Sequence, residues 1–175
     1  MRYSLFPSIV ISQQLDLPIN DLIDYAYDIF STSKGVKKTN KHGWQSHHLN
    51  IPILEDHFPL DIPNIQRPLV YHKQWINISP TGAFNTYHTH TNSDYSFVLY
   101  LTETTTPITF VHPHLHLGAF NHIRSVKPSP QETYDILPKP NELLIFPSYL
   151  PHQVGENTGN DDRISISWNA SISMV

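Results

Sequence analysis

The chain has 175 residues, with 11 Lys+Arg against 15 Asp+Glu, a formal charge of −4 and a pI near 6.3. That length suits one domain with a sizeable core, and that balance supplies no basic field for nucleic acid or an anionic membrane. With no cysteine in the sequence, disulfides and thiolate sites are excluded, so any metal falls to His, Asp or Glu.

The first residues, M-R-Y-S-L-F-P-S-I-V-I, are too short and too interrupted for a signal peptide. No run approaches the roughly 18 to 20 apolar residues of a membrane span. A cytoplasmic protein is the expectation, with a homo-oligomer left open. Fifteen prolines among many Tyr, Phe, Ile and Thr predict short strands joined by turns.

In chain order, Leu5 to Ile11 reads as a first strand that Pro7 places at an edge. Ile19, Leu22, Ile23, Ala26 and Phe30 follow helical spacing and predict a helix over Pro18 to Phe30, with Asp21 in its first turn. Ser31 to His47, with Lys34, Lys37, Lys38 and Lys41, reads as a polar loop, and Ile51 to Val70 as a short helix or proline-broken turns. The β-rich body begins near Val70. Strands are expected at Val70–Ile78, Thr86–His90, Ser96–Leu101, Ile108–Val111, Thr133–Leu137, Leu143–Phe146 and Arg163–Asn169, with a turn at Pro80-Thr81-Gly82 and an excursion from Pro113 to Pro140. No linker or repeat divides the chain. It reads as a mainly β sandwich or jelly roll, a single domain over 1–175 with helical and loop support in 1–70 and the jelly-roll core in 71–175.

His88 and His90 stand two apart in a strand-like segment, where residues i and i+2 share a face. His152 follows far downstream in F-P-S-Y-L-P-H, and Arg163 eleven residues later in R-I-S-I-S-W-N. Non-haem Fe(II) oxygenases hold iron on one triangular face with three protein ligands and leave the other positions open. His88, His90 and His152 are the candidate ligands. Arg163 suits the far carboxylate of an oxo acid, because its guanidinium grips a carboxylate through two parallel hydrogen bonds. Ser165, Ser167 and Asn169 share its strand face, opposite Ile164, Ile166 and Trp168, and so line a polar interior stripe.

The ordered motifs carry a resemblance. Leu5-Phe6-Pro7, Gly43-Trp44-Gln45-Ser46, Trp75-Ile76-Asn77, the stretch Gly82 to His90, Leu99-Tyr100-Leu101, Phe146 to His152 and Arg163 to Asn169 resemble the pattern of the 2-oxoglutarate–Fe(II) oxygenases of marine bacteria and their tailed phages. The resemblance spans almost the whole chain. It implies a double-stranded β-helix, cupin-like, with the N-terminal helix packed on it, and Fe(II), 2-oxoglutarate and O₂ in a hydroxylase-type reaction on a small molecule or protein. It implies a cofactor-binding set of Arg163, Ser165, Tyr100, Asn85 and Asn169. One departure stands out: the wider superfamily carries H-x-D or H-x-E where this chain has His90, so Asp94 is the fallback third ligand.

Blander readings remain beside this one. The histidines could be ordinary strand or loop residues, and Arg163 a surface ion pair. His112, His114 and His116 would share a face if extended, but Pro113 favours an exposed loop. Trp75 and Trp168 read as core, Tyr87 and Tyr100 as core or carboxylate partners, and His47 and His48 as surface or lid residues. The rival functions are a non-catalytic cupin-like metal-binding module and a phage structural protein.

Overall fold

The computed structural model describes residues 8–51, 54, 67–113 and 132–173. Leu5-Phe6-Pro7, His114, His116 and most of the Ile51–Val70 and Pro113–Pro140 segments lie outside the described residues. In chain order the elements are β1 (Ile11–Gln14), α1 (Ile19–Thr32), β2 (Asn40–Lys41), β3 (Trp44–Gln45), β4 (Leu69–Tyr71), β5 (Trp75–Ser79), β6 (Phe84–His88), β7 (Tyr95–Tyr100), β8 (Ile108–Val111), β9 (Thr133–Ile136), β10 (Glu142–Pro147), β11 (His152–Val154) and β12 (Arg163–Ile172).

All the pairings are antiparallel. One sheet runs β1-β10-β7-β12-β5-β3, with β4 also on β12, and the other runs β2-β6-β11-β8-β9. The larger sheet is covered on both faces, and its residues alternate accordingly. Phe97, Leu99, Leu143, Ile145, Ile164, Ile166 and Trp168 join Leu22 and Ala26 of α1 in the main core. Val98, Tyr100, Leu144 and Phe146 turn the other way and meet Ile108, Phe110 and Val154 of the smaller sheet. A strand buried on both faces reads as a continuous apolar run rather than an alternating one, which is the pattern of Leu143 to Phe146.

Helix α1 matches its predicted span within two residues. Its apolar stripe buries Leu22 and Ala26 completely, and the hydroxyls of Ser31 and Thr32 extend it by donating back to the Asp28 carbonyl. The first strand differs from expectation. Ser8 to Val10 are not strand, and pairing with β10 begins only at Ile11. Expected strand Val70–Ile78 is broken at residues 72–74, where Gln74 turns aside to bridge Leu49. The lysine-bearing loop also contains two edge strands, β2 on β6 and β3 on β5. Each is only two residues long and carries no periodicity, which is why composition reads it as loop.

That loop turns at Gly35, whose φ is +64°, in the left-handed region. A Cβ there would run into the Trp44 indole and the Gln45 carbonyl, and Trp44 is held by its Nε1–H donating to the Ser33 carbonyl at 3.0 Å. Gly35→Ala is therefore expected to cost about 2–3 kcal/mol, combining backbone strain with a displaced indole. A urea titration checks it, and an unchanged midpoint would refute the packing described.

Candidate metal and oxo-acid site

The space between the sheets is apolar at one end and becomes a polar cavity at the other, because β5 and β12 present polar residues inward. Along β12 the inward set is Arg163, Ser165, Ser167 and Asn169, and along β5 it is Trp75, Asn77 and Ser79. These seven residues line a cavity of about 600 Å³, together with His88, His90 and His152. Ser165 faces Asn77 and Tyr100 across the sheet, and Ser167 faces Trp75 and Val98, so the stripe is set by strand register.

His88 ends β6 and pairs directly with His152, the first residue of β11. The strand H-x-H expectation holds for His88 alone. His90 lies two residues beyond the strand, returned to the site by its own N–H donating to the Ser148 carbonyl at 2.9 Å. Ser148 is fully buried, and its hydroxyl meets those of Ser93 and Ser96 at 2.9 and 2.8 Å. The loop before β11 therefore fixes His90 as well as His152. Ser148 enters the sequence reading only as part of the Phe146 to His152 motif, which carries no signal of this role.

The three imidazoles each bring one ring nitrogen within 4.8 Å of the others. Nδ1 of His88 lies 2.7 Å from the Thr86 carbonyl and Nδ1 of His152 lies 3.0 Å from the Leu150 carbonyl. Both rings thus carry their proton on Nδ1 and turn Nε2 to the shared space, the usual orientation of a metal-binding histidine. Nε2 of His90 sits 3.4 Å from Nε2 of His152, and the two rings are stacked 5° from parallel. Trp75 flanks His90 at 5.8 Å, and His48 stacks on Trp75 at 5.9 Å. Trp75 is thus a cavity wall rather than core, His48 an exposed residue at its mouth, and Trp168 alone is core.

Burial keeps all three rings neutral, the form that binds a metal. Desolvation pushes His88 down, His90 to about 4 and His152 to about 3, with His88 adding to the shift of the other two. These folded values lie below the ordinary 6.5, so the unfolded chain takes up protons first as pH falls. Stability of the metal-free protein is then full above pH 6.5 and declines below it, by up to about 1.4 kcal/mol per pH unit for each buried ring. Thermal melts of chelator-treated protein at pH 7.5, 6.5 and 5.5 should show a falling Tm between the last two. A flat profile would contradict neutral, buried rings.

Arg163 is 4% exposed. Its Nη1 donates to the Gly155 carbonyl at 3.2 Å, while Nη2 is buried with no hydrogen-bond partner among the described residues, as is Oδ1 of Asn77. A buried cation with a free donor is costly unless something anionic completes it. Tyr100, 2% exposed, lines the same cavity, and burial raises its pKa, so its phenol stays protonated. Asn85 and Asn169 also line it, Asn169 accepting from Ser96 at 3.0 Å. The one cavity thus holds a candidate metal group and a buried cation, the two anchors an oxo acid requires. Asp94 does not join the histidines: its carboxylate is exposed and accepts from the Ile172 N–H at 2.7 Å. Tyr87 is 56% exposed and outside the cavity lining, so neither expectation for it holds. His112 sits just after β8, apart from the cavity.

The family model described as "Putative 2OG-Fe(II) oxygenase" matches residues 73–169, more than half of the chain. The chain belongs to the 2OG-Fe(II) oxygenase family. Solved structures place its fold among double-stranded β-helix oxygenases. The epimerase SnoN from nogalamycin biosynthesis, non-haem and α-ketoglutarate dependent, is similar over 93% of this chain and 77% of its own, with a TM-score of 0.69 and 14% identity. HygX from Streptomyces hygroscopicus, solved with nickel and 2-oxoglutarate bound, aligns over 94% of this chain and 83% of its own, with a TM-score of 0.64 and 8% identity. A prolyl-4-hydroxylase from Pseudomonas putida aligns over 94% and 92%, with a TM-score of 0.60 and 15% identity. The chain spans half the length of a 2OG-Fe(II) oxygenase family oxidoreductase from Burkholderia pseudomallei. No curated protein matches the sequence. Fe(II) and 2-oxoglutarate are the family's cofactor and cosubstrate, and the three-histidine group fits iron. Among the described residues no helix is long and apolar enough to cross a membrane.

Proposed function

We propose that this chain is an Fe(II)- and 2-oxoglutarate-dependent dioxygenase of hydroxylase type, acting in the cytoplasm. The observation that carries the reading is one cavity holding both a convergent trio of neutral imidazoles and a buried arginine with an N–H left unpaired among the described residues. His88, His90 and His152 would hold iron through ring nitrogens, two of them oriented by the Thr86 and Leu150 carbonyls. Arg163 would take the far carboxylate of 2-oxoglutarate, with the Tyr100 and Ser165 hydroxyls, Asn85 and Asn169 lining its berth.

Iron with 2-oxoglutarate and O₂ supplies the oxidation, for which the overall balance is 2-oxoglutarate + O₂ + R–H giving succinate + CO₂ + R–OH. The rest is positional. Val98, Ile108 and Val154 give the cavity an apolar wall, and the lower local dielectric there would strengthen the Arg163–carboxylate contact. The trio contributes no negative charge, whereas two histidines and a carboxylate would contribute one, so the anionic cosubstrate is held more by charge here.

Succinate formation from 2-oxoglutarate, dependent on Fe(II) and O₂, tests the activity. Turnover at least tenfold above protein-free controls supports it, and its absence in folded, iron-loaded protein favours a cupin-like binding module.

A further inference from the structure

The wall of the cavity is cationic well beyond what 2-oxoglutarate uses. In a chain with more acidic than basic residues, no Asp or Glu lines the cavity among the described residues, while Lys38, Lys73 and Arg163 do. Arg163 lies buried on β12, whereas Lys38 and Lys73 are exposed. The lysines come from opposite sides. Lys38 precedes β2 on the edge of the smaller sheet, its N–H donating to Asn40 Oδ1 at 2.7 Å. Lys73 sits in the break between β4 and β5 of the larger sheet. Neither ammonium has a salt bridge or side-chain hydrogen bond among the described residues. Between them half-buried Trp75, stacked against His90 and His48, lines the cavity.

This positive charge exceeds what the cosubstrate neutralises. Fe(II) and the Arg163 guanidinium bring three positive charges, three imidazoles bring none, and 2-oxoglutarate brings two negative charges. One positive charge remains before the lysines are counted, and three remain with them. A cavity of one sign concentrates ligands of the other, and an unpaired lysine at its wall is a point charge suited to carboxylate or phosphate.

We infer that the substrate is an acid: a small molecule whose carboxylate or phosphate is held by Lys38 and Lys73 while its body lies along Trp75 toward the histidines. This rests on the oxygenase reading, since it assigns Arg163 to the cosubstrate and leaves the lysines for the substrate.

The test uses benzoate and benzamide, matched in shape and different in charge, titrated by calorimetry into the anaerobic protein with Fe(II) and saturating 2-oxoglutarate. Phenyl phosphate is a third arm. Benzoate or phenyl phosphate is expected to bind at least tenfold more tightly than benzamide, the tighter of the two assigning the acidic group. In the double variant Lys38→Met, Lys73→Met the preference should fall below threefold, with the visible Fe(II)–2-oxoglutarate band unchanged. Equal affinities, no saturable binding of either anion, or a preference surviving in the double variant would overturn the inference. If wild type shows the band without the preference, the acid subsite fails and the oxygenase reading stands. If it shows the preference without the band, the oxygenase reading fails while the anion site stands.

Discussion

Replacing His152 with alanine is expected to weaken Fe(II) binding by more than ~100-fold and to abolish 2-oxoglutarate turnover. The expectation exceeds the 10- to 100-fold that losing an outer partner of a metal ligand costs, because here the ligand itself is removed. His152 is 3% exposed and faces His88 across the β6–β11 pair, and among the described residues no fourth His, Asp or Glu joins the trio. His88→Ala should behave alike. His90→Ala is the informative contrast, since His90 stands outside the strand and is held by the Ser148 carbonyl and Trp75. Equilibrium dialysis with Fe(II) or its redox-inert substitute Zn(II) checks all three. Near-wild-type metal affinity in His152→Ala would remove the trio as the metal site.

The second large effect belongs to Arg163. Arg163→Ala removes the buried cation and should raise the KM for 2-oxoglutarate by about 30-fold or more. Truncating one partner of a buried charge pair costs roughly 2–5 kcal/mol. Arg163→Lys should recover only part of this, because an ammonium cannot make the two parallel hydrogen bonds of a guanidinium. Metal affinity without the cosubstrate should be unchanged, since Arg163 is not among the three convergent groups. Steady-state succinate assays over 2-oxoglutarate concentration provide the check, and an unchanged KM would reassign Arg163 to a structural role.

What could be read in advance follows from periodicity. The alternation of Arg163, Ser165, Ser167 and Asn169 with Ile164, Ile166 and Trp168 is a strand signal over seven residues, and both faces lie where it put them. The spacing of Leu22 and Ala26 marked the buried stripe of α1 in the same way. Short elements escaped. Strands β2 and β3 have two residues each and β11 has three, between flanking prolines and glycines that read as loop, so the strand placement of His152 was not visible. Long-range contacts escaped too. The return of His90 through Ser148 joins residues 58 positions apart, and the stacking of His48 on Trp75 joins two segments with no shared pattern. Trp75 itself was misread because an aromatic at strand spacing carries no mark of which face is the cavity.

The central claim is that one cavity holds Fe(II) on His88, His90 and His152 and 2-oxoglutarate between that iron and Arg163. It is tested most directly without oxygen, by adding Fe(II) to metal-free protein, then 2-oxoglutarate, and recording the visible spectrum. The account predicts a metal-to-ligand charge-transfer band that needs both additions and is lost in His152→Ala. A folded, iron-loaded protein that develops no band with 2-oxoglutarate would contradict it.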